Sequence, residues 1–301
     1  MNLIKRIPIP IAGLMLALFS LGNLLQDINP YLRYLFGILG AIILILIILK
    51  IILYFPDVKN DFKNPVIVSS SGTFSMSLML LSTYLLEFIP SIAYTIWIIG
   101  ISLHLMLMIY FTYHFIVREF DISMVYPSYW IVFVGITMAA ITSKSHSVEE
   151  VGFIFFIVGF IAMLITLPLV VYKYIRYNDI PDMNKPLICI FTALMSILIV
   201  GYINSAQMIS NEFLIALYLV ACIFYVFALY KFIEYRNLEF FPSFSAFTFP
   251  FVISALATKG VGKIIGNDLF NPILKIETAI AVIIVAYILI RYVKFLKIVK
   301  K

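Results

Sequence analysis

Charged side chains are scarce in this chain of 301 residues, since Asp, Glu, Lys and Arg together make up only 12% of it. Soluble domains are about 25% charged and about half apolar. Here 63% of the residues are hydrophobic and the mean hydropathy is +1.10, which excludes a soluble globular protein. Apolar runs of about 18–25 residues recur along the sequence between short polar stretches, as is typical of membrane-spanning helices. We therefore predict an all-α integral membrane protein.

The residues that most often carry enzyme chemistry are also few. Cys189 and Cys222 lie inside apolar runs without CxxC or His spacing, and we interpret them as small buried side chains. Three histidines and the scattered Asp and Glu residues form no pattern of a metal site, a serine triad or a protease dyad. A glycine-rich nucleotide loop is absent. We expect no enzymatic activity, no cofactor, no metal ion and no nucleic-acid partner.

Ten membrane-spanning helices are predicted, and we number them spans 1 to 10 in chain order. The connections between them are short, so neighbours in sequence are antiparallel neighbours in space. We expect one transmembrane domain over residues 1–301 without a soluble domain. The spans are predicted at residues 8–25, 31–54, 66–88, 91–117, 127–143, 150–176, 186–204, 212–235, 242–258 and 272–295.

The distribution of Lys and Arg between the two sides predicts the orientation. One side holds 16 of the 21 basic residues, and basic residues are enriched on the cytoplasmic side of membrane proteins. Both termini are therefore predicted to be cytoplasmic, in the cytoplasmic membrane. The basic residues of the cytoplasmic side are Lys5, Arg6, Lys50, Lys59, Lys63, Arg118, Lys173, Arg176, Lys185, Lys231, Arg236, Arg291, Lys294, Lys297, Lys300 and Lys301; those of the other side are Arg33, Lys144, Lys259, Lys263 and Lys275.

Prolines mark a repeat along the chain. Pro10, Pro65, Pro127, Pro186 and Pro242 stand at the start of the odd-numbered spans, 55, 62, 59 and 56 residues apart. Proline in the first turn of a helix costs no hydrogen bond. The near-constant period indicates five helical hairpins with pseudo-fivefold symmetry, whose odd helices line a central pore and whose even helices lie outside. The alternative is that prolines often begin helices and that the loops merely have uniform lengths.

Hydroxyl groups recur at helical spacing on the odd spans. Such groups can replace part of the hydration shell of an ion in a pore. They can equally bond the carbonyl of the preceding turn or hold helices together. The residues are Ser70, Thr73 and Ser77 on span 3, Thr192 and Ser196 on span 7, and Ser245 and Thr248 on span 9.

No Asp, Glu, Lys, Arg or His lies in the middle of the odd spans. Proton relays and cation sites use such groups inside the membrane, so a proton-coupled pump or a cation channel is disfavoured. Glu87 and Glu277 are predicted near an interface. His104, on span 4, is interpreted as a neutral histidine packed between helices. The pattern favours a weakly interacting path for anions or small neutral solutes.

Four motifs on alternate helices resemble the tellurite-resistance/dicarboxylate transporter family, which includes the bacterial TehA channels, fungal malate and sulfite transporters and the plant slow-type anion channels. The resemblance covers essentially the whole chain. The motifs are Pro10-Ile11-Ala12-Gly13-Leu14 with Gly22-Asn23-Leu24 in span 1, Asn64-Pro65-Val66 with Ser69 in span 3, Tyr126-Pro127-Ser128-Tyr129-Trp130 in span 5, and Ala246-Phe247-Thr248-Phe249-Pro250 in span 9.

The resemblance implies ten helices in five hairpins around a pore, as a homotrimer with one pore per subunit. It also implies that Phe249, followed by Pro250, projects into the pore and closes it, and that Gly13 lines the pore. Pro250 cannot donate to the carbonyl of Ala246, so a bend is expected there. Ser245 stands where the family often has tryptophan, and span 7 matches only through Pro186 and Gly201-Tyr202. These departures leave the pore diameter and the permeant ion open.

The sequence features leave three candidate functions. The first is a passive channel for small inorganic anions, selected by dehydration cost and closed by Phe249. The second is a carrier of the same family that exports a defined anion such as sulfite, tellurite or a dicarboxylate. The third, a non-transporting membrane protein or an intramembrane enzyme, is disfavoured by the missing catalytic residues.

The topology can be tested by tag accessibility. Tags at both termini should be accessible only from the cytoplasm, and a tag between Lys144 and His146 only from outside, because the basic residues are distributed 16 to 5. Termini found on opposite faces would mean that one helix has been miscounted.

Overall fold

The computed structural model describes residues 3–177 and 179–297; Lys300 and Lys301 lie outside them. Within these ranges all regular structure is helical. Eight helices are long and apolar enough to cross a membrane, which confirms the predicted class. They correspond to spans 2, 3, 4 and 6 to 10, and their bounds are Pro30–Leu53, Pro65–Leu85, Pro90–Arg118, Glu149–Arg176, Asp182–Ser205, Asn211–Tyr235, Pro242–Ile265 and Phe270–Lys297.

The two other predicted spans have a different form. Span 1 is a shorter apolar helix, Ile9–Leu25. Span 5 consists of two short helices, Tyr129–Phe133 and Thr137–Ser143. The carbonyl of Trp130 accepts from the N–H groups of both residue 134 (2.8 Å) and residue 135 (2.9 Å), and the N–H groups of residues 137, 138 and 139 bond three residues back. Span 5 is therefore interrupted, where a continuous helix was predicted.

Asparagine and proline start several of these helices. The side chain of Asn64 accepts from the N–H of Val66 at 2.9 Å, and Pro65 takes the first helical position. Asn29 and Pro30 do the same for span 2. A side-chain cap satisfies one of the N–H groups that lack an intrahelical partner, and proline removes another. The chain thus enters these spans without leaving donors unpaired.

Burial separates the odd spans from the even ones. In the most apolar stretch of each helix, 72% of the residues are buried in span 3, 94% in span 7 and 83% in span 9. The corresponding share is 28% in spans 2, 4, 6 and 10 and 33% in span 8. In span 1, all residues of Ala12–Leu25 except Asn23 are buried. Aliphatic side chains cover the exposed faces of the even spans, as lipid requires.

Contacts between the spans form a closed series. Span 1 packs against span 3, span 3 against span 5, span 5 against span 7, span 7 against span 9, and span 9 against span 1. Each odd span also contacts the even span that follows it. Arg6 and Phe295, near the two ends of the described ranges, lie together, because Arg6 donates to the carbonyl of Phe295 at 2.6 Å.

Thr137 is held tightly between spans 6 and 7. A Cβ atom on Gly159 would lie 2.0 Å from the Thr137 Oγ1 atom. A Cβ atom on Gly201 would lie 2.4 Å from its Cγ2 atom. Thr137 is fully buried and cannot turn away from one glycine without meeting the other. The two glycines therefore set how closely spans 5, 6 and 7 approach.

We expect Gly159→Val to destabilise the protein by about 1–3 kcal/mol, because extra methyl groups must displace Thr137. Thermal unfolding in detergent would show a lower melting temperature. Val158→Leu is the matched control, since Val158 is the next residue and is 38% exposed on the outer surface. Equal melting temperatures for the two variants would contradict the packing described.

Candidate functional site

A narrow cavity of about 50 Å³ lies at the centre of the molecule, and all five odd spans contribute to its wall. Among the described residues, the hydroxyl-bearing ones in its wall are Ser70, Thr73 and Ser245, and no charged residue lines it. The other lining residues are Pro10, Gly13, Met76, Trp130, Ile131, Val134, Gly135, Leu187, Ile190, Ala193, Leu194, Ile197, Ala246, Phe249 and Pro250.

Two wider vestibules flank this cavity. We name the first the N-side vestibule, because the beginnings of spans 1, 3, 7 and 9 line it; its volume is about 310 Å³, and it shares Pro10 and Ser70 with the central cavity. We name the second the C-side vestibule, because the ends of all five odd spans line it; its volume is about 680 Å³. It begins one helical turn beyond the cavity, at Leu80, Met138 and Ile253.

Span 9 is interrupted at the level of the cavity. A 3₁₀ helix runs over Pro242–Phe247, and an α-helix begins at Phe249. Because Pro250 has no N–H, the α-helical bond to the carbonyl of Ala246 cannot form. The next two N–H groups, of residues 251 and 252, point to the carbonyl of Thr248 at 3.2 and 3.4 Å. The interruption lies where the proline predicts a bend.

Phe249 and Phe247 lie in different surroundings. Phe249 lines the central cavity and is 6% exposed. The Phe247 ring is fully buried away from the cavity and packs edge-on against Phe232 and Phe244, with centroid distances of 5.2 and 5.1 Å. Phe249 has no such aromatic neighbour among the described residues. Its ring therefore lines the cavity without being held in an aromatic cluster.

Six of the ten residues predicted for the pore line the cavity: Gly13, Ser70, Thr73, Ser245, Phe249 and Pro250. Gly13 also has a packing role, because a Cβ atom there would lie 3.0 Å from the Cβ of Ser245. The missing side chain lets spans 1 and 9 approach each other beside the cavity. Trp130 and Gly135 were not predicted, although Trp130 belongs to the span 5 motif and Gly135 marks the interruption of that span.

The other four predicted residues do not line the cavity. Ser77 donates to the carbonyl of Thr73 at 2.7 Å, and Thr248 to that of Ser245 at 2.6 Å. Thr192 and Ser196 lie 2.8 and 3.0 Å from the Ser254 hydroxyl and join spans 7 and 9. These hydroxyls satisfy backbone and interhelical partners, which was the alternative interpretation of their spacing.

The buried ionisable groups lie outside the cavity wall. His104 is fully buried and joins spans 3, 4 and 5: its Nε2 atom lies 3.0 Å from the Val132 carbonyl and its Nδ1 atom 2.8 Å from the Ser75 hydroxyl. Glu277, which was predicted near an interface, is only 6% exposed. None of the three cavities includes it. Within the described ranges, no cluster of His, Cys, Asp and Glu could hold a metal ion.

A family model described as "Voltage-dependent anion channel" matches residues 7–293. The chain belongs to this family. The matched range contains all the helices that surround the cavity and the vestibules, and it confirms the resemblance drawn from the four motifs. No curated protein sequence matches the chain. Membership of a family of voltage-dependent anion channels makes anions the solutes to consider for this path.

Cysteine substitution distinguishes the hydroxyls that line the cavity from those that join helices. We begin from a chain in which Cys189 and Cys222 are alanine and Phe249→Ala has widened the path. Ser245→Cys should then react with a small methanethiosulfonate reagent, because its side chain lines the cavity. Ser196→Cys should react at least about tenfold more slowly, because it is exposed only by local opening. Similar rates would contradict these placements.

Proposed function

We propose that the protein is a passive channel that conducts small inorganic anions across the cytoplasmic membrane and is held closed by Phe249. One observation carries the proposal: Phe249 stands in the narrow uncharged cavity that separates two wide vestibules. Membership of the anion channel family supports the class of solute.

The architecture that we propose is a ring of five hairpins, with spans 1, 3, 5, 7 and 9 around the path and the even spans outside. The closed series of contacts between odd spans supports it, as does the burial of odd spans relative to even ones. In this arrangement the odd spans run parallel, since the beginnings of spans 1, 3, 7 and 9 line one vestibule and the ends of all five odd spans line the other. We further propose cytoplasmic termini and a homotrimer with one path per subunit.

Selection in this channel depends on the cost of dehydration. A carboxylate lining the cavity would repel anions, and none does so. The hydroxyls of Ser70 and Thr73 donate to carbonyls of their own helix at 2.7 Å, and each can rotate to donate to an anion instead. Such donors replace only part of a hydration shell. Weakly hydrated anions should therefore pass more readily than strongly hydrated ones.

A carrier that exports a defined anion is the second candidate. The interruptions of spans 5 and 9 favour it, because both lie at the central cavity and could serve as hinges. A carrier would expose the cavity to the two vestibules in turn. Its flux would saturate with anion concentration and give no resolvable unitary current, whereas a channel current follows the electrochemical gradient.

Truncation of the gate residue tests the channel directly. Phe249→Ala removes the ring from the path, and a reduction of about 2.7 kcal/mol in the barrier would raise anion conductance about 100-fold. The measurement is the anion current of purified protein in planar bilayers. Phe247→Ala, reconstituted at equal density, is the matched control and should change the conductance far less, because that ring packs against Phe232 and Phe244.

Two results would contradict the gate. If both variants conduct alike, or if Phe249→Ala conducts no better than the parent protein, Phe249 is a packing residue. Saturating flux without unitary current would then favour the carrier.

A further inference from the structure

Basic residues are concentrated at one end of the path. Only five of the 21 Lys and Arg residues were predicted on the outer side of the membrane. Four of these five line the C-side vestibule: Arg33, Lys144, Lys259 and Lys263. No Asp or Glu in the described part of the chain lines it. The general bias of basic residues toward the cytoplasm does not explain why the few on the opposite side gather in one vestibule.

Two of these four charges are neutralised by ion pairs. Arg33 lies 2.6 Å from the carboxylate of Glu87, and Lys259 lies 2.7 Å from that of Asp27. Lys144 and Lys263 are exposed, and neither has a carboxylate within ion-pair distance in the part of the chain that the structure describes. These two lysines therefore carry the free positive charge of the vestibule.

Two further ionisable groups lie near the vestibule without lining it. Glu150 keeps its negative charge at the rim, where its Oε1 atom accepts from the side-chain amide of Gln207 at 3.0 Å. His146 adds no charge at neutral pH, because burial lowers the pKa of its imidazole from the ordinary value of 6.5. Its ring lies against Trp97, with the centroids 5.1 Å apart. Among the lining residues, Lys144 and Lys263 therefore carry two positive charges that no ion pair neutralises.

The direction of the odd spans determines which helix ends this positive charge lies beside. Their C-terminal ends meet at the C-side vestibule, and the C-terminus of a helix carries a partial charge of about −0.5. Helix ends alone would repel anions here and attract them at the N-side vestibule. Lys144, in the turn after span 5, and Lys263, in the last turn of span 9, oppose that repulsion.

We propose that the C-side vestibule is an anion-collecting site, in which Lys144 and Lys263 concentrate small inorganic anions and set their rate of access to the constriction from that side. This inference rests on the proposed channel function. Both ammonium groups are exposed, so anions are held transiently and exchange with the solution. The competing explanation is that the lysines only stabilise helix C-termini, which would affect the stability of the fold and leave conduction unchanged.

Conduction in two salt concentrations separates these explanations. In the Phe249→Ala background, Lys144→Gln/Lys263→Gln should lower the chloride current that enters from the C-side about two- to fourfold at 10 mM salt, where the Debye length is about 30 Å. At 1 M salt, where it is about 3 Å, the difference should nearly vanish. Lys275→Gln is the matched control, because Lys275 belongs to the same predicted face but lies outside the vestibule; it should change neither current.

A second measurement does not depend on conduction. Ser145 lines the C-side vestibule, so Ser145→Cys, in a chain without Cys189 and Cys222, reports the local potential through its reaction rates. We measure the rate with an anionic and with a cationic methanethiosulfonate reagent. These reagents differ by two charges, so the double lysine variant should lower the anionic-to-cationic rate ratio about 4- to 16-fold at 10 mM salt.

The outcomes distinguish this inference from the proposed function. An unchanged rate ratio, or a current that falls equally at both salt concentrations, overturns the collecting site. A reduced ratio together with the absence of anion current from Phe249→Ala at 1 M salt supports the collecting site and removes the gated channel. A reduced ratio with a salt-dependent loss of current supports both.

Discussion

The architecture depends on the requirement that backbone polar groups inside a bilayer find partners within the protein. A continuous helix meets this requirement through its own backbone hydrogen bonds, but an interrupted helix does not. Where spans 5 and 9 are interrupted, single carbonyls take two donors: that of Trp130 accepts from two successive N–H groups, and that of Thr248 does the same. Hydroxyls such as those of Ser77 and Thr248 bond further carbonyls of the inner helices. The interruptions are therefore accommodated among buried residues of the odd spans.

Small residues make the inner helices fit together around so small a cavity. Gly13 admits the side chain of Ser245, and Gly159 and Gly201 admit Thr137 from two sides. In lipid the association of helices depends on close packing, since apolar side chains gain little by leaving a hydrocarbon solvent. The same close approach of the odd spans leaves only a narrow cavity beside Phe249. In the proposed channel, stability and closure would thus come from one set of contacts.

Charge is arranged in layers along the path. Among the described residues, the central cavity is lined by hydroxyls and no ionisable group, whereas charged side chains line both vestibules. In the proposed channel, an ion would therefore meet fixed charge only where water still hydrates it and would lose water where no charge holds it. Such a sequence of environments favours passage over tight binding, since a strong site in the constriction would retain the ion.

The sequence by itself determined the class and the outline of the protein. Long apolar runs require helices in a membrane, prolines and asparagines mark where they begin, and Pro250 interrupts span 9 because it has no N–H to donate.

Tertiary structure decided which hydroxyls face the cavity. The spacing of Ser70, Thr73 and Ser77 puts them on one side of a helix but does not determine how that helix is rotated about its axis. In the structure the Ser77 hydroxyl donates to a carbonyl of its own helix. The interruption of span 5 and the burial of Glu277 depend on neighbours distant in sequence. So does the gathering of Arg33, Lys144, Lys259 and Lys263 around one vestibule, because these residues come from different spans and connections, and only the packed ring brings them together.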